Sequence, residues 1–180
     1  MKYNAGCQSG SADDCASLAT MYMNGKGGPR DFELARDFYV KACEIKAPSN
    51  CNEAGKLASQ ALGGPRDFVY AIGAFTRGCD AGDKKACMNI AVHRHHGLGL
   101  VKNEVAARAS YKMHCETDKI AAACHNLAGM MLRCAGGEQD ESGMQLYQTT
   151  CDGGYKASCD IMERRKKAAE KAAKERASAQ

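Results

Sequence analysis

The sequence predicts an all-α fold, an α/α superhelical solenoid built from stacked helical hairpins. Ten of the eleven cysteines form five close pairs, and the first members of these pairs recur every 36 residues. Within each period, apolar residues follow the i, i+3, i+4, i+7 spacing of amphipathic helices, in two stretches separated by glycine-containing turns, which also hold a proline in the first two units. A 36-residue repeat with two helices predicts units that pack only on their neighbours.

Residues 15–43 show the repeat unit most clearly. The apolar face of its first predicted helix consists of Cys15, Leu18, Ala19 and Tyr22. Gly25 lies where a left-handed C-cap is needed, and the glycines and proline at 27–29 prevent the helix from continuing. Asp31 is a favourable N-cap, and Glu33 suits the first turn of a second helix. The apolar face of this second helix consists of Ala35, Phe38, Tyr39 and Ala42.

Shifts of 36 residues, with one extra residue before the fourth unit, recover the same features along the chain. The cap position is occupied by Asp31, Asp67, Asn103 and Asp140. The turn glycines are Gly27, Gly63, Gly99 and Gly136, and the aromatic residues of the second helices are Tyr39, Phe75, Tyr111 and Tyr147. We therefore expect a repeat array over 1–162, with a partial unit at 1–7, full units at 15–43, 51–79, 87–115 and 124–151, and a partial unit from 159. Residues 163–180 are expected to form a basic helical tail.

The net charge of +4 comes from this tail, which holds seven Lys/Arg against three Glu and leaves 18 basic and 18 acidic residues in the array. A neutral array does not predict nucleic-acid binding. No apolar stretch reaches 18 residues, so no membrane span is expected. Residues 1–7 match the end of a second helix, and whether a targeting segment was removed upstream stays open.

The repeat pattern A-x-x-L-A-x-x-Y-x-x-G-x-G-G-x-x-D-x-x-x-A-x-x-x-Y-x-K-A-C resembles the Sel1-like repeat family, α/α solenoids related to tetratricopeptide repeats. The paired cysteines, with segments such as CDGGYKASC at 151–159, resemble its cysteine-rich branch. That branch includes secreted Helicobacter cysteine-rich proteins and a mitochondrial intermembrane-space cytochrome oxidase assembly factor. The chain departs from the pattern at two positions. The Tyr22 position is occupied by Ala58 in the second unit and Arg94 in the third, and the Gly25 position by Ala61 in the second unit and Cys134 in the fourth. The turn of the second unit is therefore the least typical.

The cysteine spacing favours disulfide bonds over zinc, because structural zinc sites use closer pairs such as C-x2-C. The expected bridges are Cys7–Cys15, Cys43–Cys51, Cys79–Cys87, Cys115–Cys124 and Cys151–Cys159. Five bridges favour an oxidising compartment, periplasmic or secreted, with the intermembrane space as the alternative. Cys134 is left as a free thiol, either a small buried hydrophobe or a thiol that is reactive or forms an intermolecular bridge. A monomer is expected, with a dimer through Cys134 as the alternative.

The interpretation favoured is a protein–protein interaction or assembly scaffold that binds a protein or peptide on its concave face. Side-chain amides on first helices suit this role, since they donate and accept hydrogen bonds to a peptide backbone. The predicted contact residues are Ser17, Met21, Asn24, Glu53, Leu57, Gln60, Asn89, His93, His96, Asn126, Met130 and Arg133.

Two other functions follow from the resemblance alone. One is β-lactam binding or weak β-lactamase activity, although no serine is followed by lysine three residues later, as serine β-lactamases require. The other is haem binding through His114 or His125 in respiratory-complex assembly. His93 and His96 share a helix face but lack a third metal ligand, so no metal site is predicted. No catalytic residue is predicted either.

Overall fold

A computed structural model of the chain describes residues 2–45, 48–133 and 141–178, and the helices fall into two compact units. The first unit spans residues 1–102. Its helices are α1 (Lys2–Gln8), α2 (Ala12–Asn24), α3 (Phe32–Glu44), α4 (Pro48–Ser59), α5 (Phe68–Asp80) and α6 (Lys84–His96). Each helix packs on the next along the chain, and α4 also contacts α6.

The second unit spans residues 103–180. Its helices are α7 (Glu104–Glu116), α8 (Ala121–Leu132), α9 (Ser142–Asp152) and α10 (Lys156–Ser178), again packed in consecutive order. No strand occurs in the described ranges, and the predicted all-α class is confirmed. The boundaries of the repeat units stay a prediction.

Helix ends in the first unit follow the predicted capping residues. Gly25 ends α2 in the left-handed conformation, with φ 68° and ψ 32°. The side chain of Asp31 accepts from the backbone N–H of Leu34, and that of Asp67 from Tyr70, so each satisfies an otherwise free donor of the helix that follows. In the second unit, Asn103 caps α7 in the same way. Gly136 and Asp140 lie outside the described residues.

The turn of the second hairpin keeps the same form without the usual glycine. Ala61 takes the position of Gly25 and adopts φ 59°. A left-handed conformation costs an L-residue roughly 1–2 kcal/mol. The packing around the turn therefore holds Ala61 in a conformation that its Cβ disfavours.

The core is built from small residues, which allow the helices to approach closely. In the first unit one cluster of buried residues comprises Ala19, Ala35, Tyr39, Ala54 and Leu57. Two of the larger partly buried rings, Tyr22 and Phe38, stack in parallel with centroids 5.7 Å apart. Alanine thus supplies the helix contacts and a few aromatic rings fill the larger spaces.

Five disulfide bonds join the end of one helix to the beginning of the next. They are Cys7–Cys15, Cys43–Cys51, Cys79–Cys87, Cys115–Cys124 and Cys151–Cys159, as the sequence predicted. Their Cα atoms are 4.5–4.7 Å apart throughout. Since every bridge closes a short loop, it restricts the angle between two successive helices. Cys134 lies outside the described residues.

The basic tail continues α10 without interruption. From Glu163 onward the described side chains of this helix are exposed. Ion pairs one turn apart, such as Lys167 with Glu163 at 2.6 Å and Lys171 with Glu175 at 3.8 Å, run along its surface. Solvent screens exposed pairs of this kind, so they add little to stability. The tail is a solvated helix within the described residues.

Candidate protein-binding surface

The first helices of the first unit border a cleft of about 650 Å³, referred to here as the first-helix cleft. Its lining includes Tyr3, Asp13, Ala16, Ser17, Thr20, Met21, Lys26, Ser49 and Asn50. Hydroxyl, amide, carboxylate and ammonium groups therefore surround one concavity that also has apolar walls. Two of the predicted contact residues, Ser17 and Met21, lie in this lining.

The cleft is backed by hydrogen bonds that fix its wall. The hydroxyls of Thr20 and Tyr39 lie 3.0 Å apart, and the Thr20 hydroxyl also donates to the carbonyl of Ala16 at 2.8 Å. Tyr39 is 6% exposed. These bonds tie α2 to α3 behind the cleft, so the lining is held by the core rather than by a loop.

Beyond the first-helix cleft, a hydrogen bond between two asparagine side chains connects α4 to α6. The Asn89 amide nitrogen donates to the side-chain oxygen of Asn52 at 2.7 Å. Asn52 is 4% exposed and its own amide donates to Glu53 at 3.1 Å. Glu53 also pairs with Lys56 at 2.8 Å. Asn89 and Glu53, both predicted contact residues, thus have partners within the array.

Three predicted contact residues are buried and cannot form a surface. Leu57 is 2% exposed, His93 5% and Met130 0%. The prediction was wrong for all three because their positions lie one residue before the Tyr22 position, at the edge of the apolar stripe. Helix packing covers this edge as well as the stripe itself. Met21, which takes the same position on the first hairpin, is half-buried.

His93 is a core residue at the end of α6. Its ring meets Phe68 and Phe75 edge-on, at centroid distances of 5.6 and 5.3 Å, and Nδ1 lies 2.9 Å from the carbonyl oxygen of Leu98. Burial lowers the pKa of His93, which favours the neutral ring. His96 is exposed and stacks on His95, so the two histidines that share a helix face do not converge.

In the second unit, the predicted contact residues have separate environments. Asn126 of α8 is half-buried and interacts with Tyr111, and burial raises the pKa of that phenol. Arg133, which follows α8, is exposed. Asn24 and Gln60 of the first unit are also exposed. The exposed members of the predicted set are thus Asn24, Gln60, His96 and Arg133.

Two histidines flanking cysteines form polar pairs in the second unit. His114 is 3% exposed, and its Nδ1 lies 2.7 Å from Asp118. His125 Nδ1 lies 2.9 Å from the Ser158 hydroxyl, between the rings of Tyr147 and Tyr155. Burial lowers the pKa of His125. Ser158 is 0% exposed, and its hydrogen bond with the half-buried His125 connects α8 to the start of α10.

Within the described ranges, no three or more His, Cys, Asp or Glu side chains form a group that could hold a metal ion. Over the same ranges, no helix is both long and apolar enough to cross a membrane.

Comparison with known proteins gives matches among solved structures. Neither a protein-family model nor a curated protein sequence matches the chain. A Sel1 repeat protein from Oxalobacter formigenes aligns over 88% of this chain with a TM-score of 0.81, and a protective antigen of uropathogenic Escherichia coli with an SLR fold aligns over 87% with a TM-score of 0.77. Helicobacter pylori cysteine rich protein B aligns over 70% with a TM-score of 0.51. Sequence identity is 22% in each case.

This chain spans 63% of the Oxalobacter protein, 33% of the Escherichia coli antigen and 90% of the Helicobacter protein. The three alignments agree with the order of helices and turns described above. The chain therefore has the Sel1-repeat solenoid fold that the sequence predicted.

Proposed function

We propose that the protein is a non-catalytic interaction scaffold that binds a peptide or a segment of a partner protein along its first helices. The observation that carries this proposal is the first-helix cleft, which is wide, open and lined by groups able to bond a peptide backbone. Repeat solenoids present extended surfaces of this kind to their partners.

The cleft offers both parts that peptide recognition needs. Ser17, Thr20 and Asn50 supply hydroxyl and amide groups, while Met21 and Ala16 supply apolar contact. Asp13 and Lys26 place opposite charges in the lining. An extended peptide with mixed side chains fits such a surface better than a small apolar ligand does. Asn24, Gln60 and His96 extend the proposed contact along the same helices, and Asn126 and Arg133 form the proposed contact of the second unit.

The five disulfides support an oxidising compartment, either the periplasm or the exterior of the cell. The Helicobacter cysteine-rich neighbour has a similar fold and is consistent with this proposal. The protein is proposed to act as a monomer, so that its cleft stays open to a partner.

A peptide library displayed on phage, selected against the oxidised protein, tests the proposal. Selected peptides are synthesised and their affinity is measured by calorimetry. Ser17→Trp should weaken binding about tenfold or more, because the indole occupies the cleft. Thr76→Trp, at an exposed position of α5 outside the cleft, should leave the affinity unchanged. Equal affinity in both variants would contradict the proposed binding face.

A further inference from the structure

A groove of about 530 Å³ lies in the second unit, where α7, α8 and α9 meet, and is called the α8 groove below. Its apolar lining consists of Cys115, Leu127, Met131 and Leu146. Polar side chains border it, from α7 on one side and from α9 on the other: Arg108, Lys112, Glu116, Ser142, Gln145 and Thr149. The α8 groove and the first-helix cleft belong to different units and share no lining residue.

The α8 groove continues along the whole of α9. A neighbouring concavity of about 390 Å³ shares Cys115, Glu116, Leu146 and Thr149 with it. The two concavities together extend from Ser142, the first residue of α9, to Gly153, which follows its last residue. A helix of this length spans roughly 16 Å, the length of about five residues of extended chain. The groove therefore has room for a short segment of a protein.

A tyrosine fills the corresponding place in the first unit. Tyr70 of α5 is the equivalent of Ser142, which lies two repeats later in the sequence. Tyr70 packs on two buried clusters, one that includes residues of α3 and α4 and one formed by residues of α4 and α5. Its hydroxyl oxygen is shielded from solvent. The side chain thus lies where α3, α4 and α5 meet, as the α8 groove lies where α7, α8 and α9 meet.

Two charged neighbours of this tyrosine recur in the α8 groove. Tyr70 interacts electrostatically with Arg36 and Glu44, which both lie on α3. Two repeats later these positions are occupied by Arg108 and Glu116, which lie on α7 and line the groove. The second unit therefore keeps a cation and a carboxylate at the place of the phenol, while serine replaces the tyrosine itself.

A second cation is present in both places, although a different helix supplies it. In the first unit it is Arg77 of α5, which also interacts with the Tyr70 side chain. In the second unit Thr149 takes that position, and Lys112 of α7 stands where α3 has Val40. Each place thus combines two cations with one carboxylate. This set suits a hydroxyl group, which can both accept and donate a hydrogen bond.

The apolar lining of the α8 groove also suits an aromatic ring. Its residues are larger than their equivalents in the first unit, once the extra residue of the fourth bridge loop is taken into account: Leu127 replaces Ala54, Met131 replaces Ala58 and Leu146 replaces Ala74. A methionine thioether makes favourable contacts with aromatic rings. A ring in the groove therefore gains more apolar contact from these positions than Tyr70 does from the three alanines.

We propose that the α8 groove binds a tyrosine side chain in an extended segment of a partner protein. The ring would lie on Leu127 and Met131, in the place that Tyr70 fills in the first unit. Its hydroxyl would interact with Arg108 and Glu116, and the flanking residues of the segment would follow α9. This is a second binding site, and it does not depend on the first-helix cleft.

A short peptide tests the proposal directly. The probe is the pentapeptide Gly-Ser-Tyr-Ser-Gly, capped at both ends and titrated into the isotope-labelled, oxidised protein at neutral pH. We expect saturable shifts of the amide NMR signals of Gln145, Leu146 and Thr149 at millimolar peptide. The peptide with alanine in place of tyrosine should bind at least about tenfold more weakly, because it lacks the ring. The peptide with phenylalanine should bind about threefold more weakly, because it lacks the hydroxyl.

Two tyrosine variants of the protein locate the site. Ser142→Tyr introduces a tyrosine at the position equivalent to Tyr70, and this side chain should fill the groove and weaken peptide binding at least about tenfold. The change is compatible with folding, since Ser142 is exposed. Gln148→Tyr is the matched control, because it places the same side chain at an exposed position of α9 outside the groove lining. It should bind the peptide as the unaltered protein does.

Several outcomes would overturn the inference. They are an absence of saturable shifts at millimolar peptide, equal binding of the tyrosine and alanine peptides, and binding that Ser142→Tyr does not weaken. If p-cresol, which is the tyrosine side chain alone, binds as tightly as the pentapeptide, the groove is a site for a small phenol and not for a protein segment. A concentration-dependent dimer that Ser142→Tyr abolishes, without peptide binding, would assign the groove to a second copy of the chain. Ser17→Trp separates this site from the first-helix cleft, because it should not affect binding of the tyrosine peptide.

Discussion

The bridged connections and the hairpin turns hold neighbouring helices together by different physical means. A disulfide fixes two Cα atoms 4.5–4.7 Å apart at every bridged connection, and the loop between them varies in sequence and once in length. The three hairpin turns that the structure describes have no disulfide and depend on left-handed residues and close backbone contact, as at Gly63 and Gly99. Covalent connections therefore tolerate change within the loop, whereas turns tolerate it only where no Cβ collides.

The fourth bridge illustrates this tolerance. Cys115 and Cys124 are nine positions apart, while the other pairs are eight apart. Gly10, Gly82 and Gly154 have positive φ in three of the shorter loops, and Lys119 has φ 55° in the longer one. Next to Lys119, Asp118 meets the buried His114. The loop accommodates an extra residue and a non-glycine left-handed position, and the bridge still forms.

The largest effect is expected from removing a bridge. Replacing Cys79 and Cys87 by alanine should lower the free energy of unfolding by roughly 2.5 kcal/mol, because the unfolded chain regains the entropy of a short closed loop. Urea unfolding monitored by circular dichroism measures the change. The double variant of Cys115 and Cys124 is the matched comparison and should lose a similar amount. A loss below about 0.5 kcal/mol in both would show that the bridges do not stabilise the array.

A single turn glycine should be almost as important as a bridge. Gly63→Ala should cost about 2 kcal/mol, because the residue has φ 73° and its Cβ would meet the backbone of Phe32. Gly28→Ala, in the first turn, is the matched control and should change stability by less than about 0.5 kcal/mol, since its Cβ meets nothing within 4 Å. Equal losses in the two variants would contradict the role assigned to the contact with Phe32.

The turns and caps were largely predictable from the sequence because their chemistry is local. Gly25, Asp31, Asp67 and Asn103 fulfil the roles that their residue types predict. Two further N-caps, Ser11 and Asp83, were missed, although both are typical capping residues placed just before a helix. Both of these caps could have been predicted from residue type alone.

The burial of Leu57 and His93 was not predictable in this way. Whether the position beside the apolar stripe is buried depends on the preceding second helix, which lies about 25 residues earlier in the sequence. Phe68 covers His93, but nothing in the residues around His93 indicates that contact. The prediction of a surface therefore failed at the positions where packing between repeats decides exposure. Asn24 and Gln60, which lie nearer the helix ends, are exposed, and their contact with a partner stays a prediction.

A smaller change, this time a gain in stability, is expected when glycine replaces another residue at a left-handed position. Ala61→Gly and Lys119→Gly should each raise the free energy of unfolding by about 0.5–1 kcal/mol, because glycine adopts their positive φ without a Cβ penalty. Ala58→Gly, three residues before Ala61 in the last turn of α4, should instead destabilise the chain, since it loses a buried methyl group and helix propensity. Thermal unfolding of the three variants gives the signs directly. A loss of stability in both left-handed variants would contradict this account of the turns.

The smallest expected effect is a change in the pH dependence of stability, which involves His93, the residue that joins a turn to the core. Burial lowers the pKa of His93 in the folded chain below its ordinary value of 6.5. The unfolded chain therefore takes up this proton first as the pH falls through 6.5, and stability is lost from there down to the pKa of the folded state. Above pH 6.5 the stabilisation by the neutral ring is fully present.

Replacing His93 by leucine, the residue at the equivalent position 57, should reduce this acid sensitivity. Urea unfolding at pH 8 and at pH 5 should show a smaller loss of stability in His93→Leu than in the unaltered chain. Some sensitivity remains, because burial also lowers the pKa of His125. Thr76→Leu, at an exposed position of α5 that carries no titratable group, should keep the original pH dependence. If His93→Leu loses as much stability on acidification as Thr76→Leu, the ring between Phe68 and Phe75 is not a source of the acid sensitivity of the third hairpin.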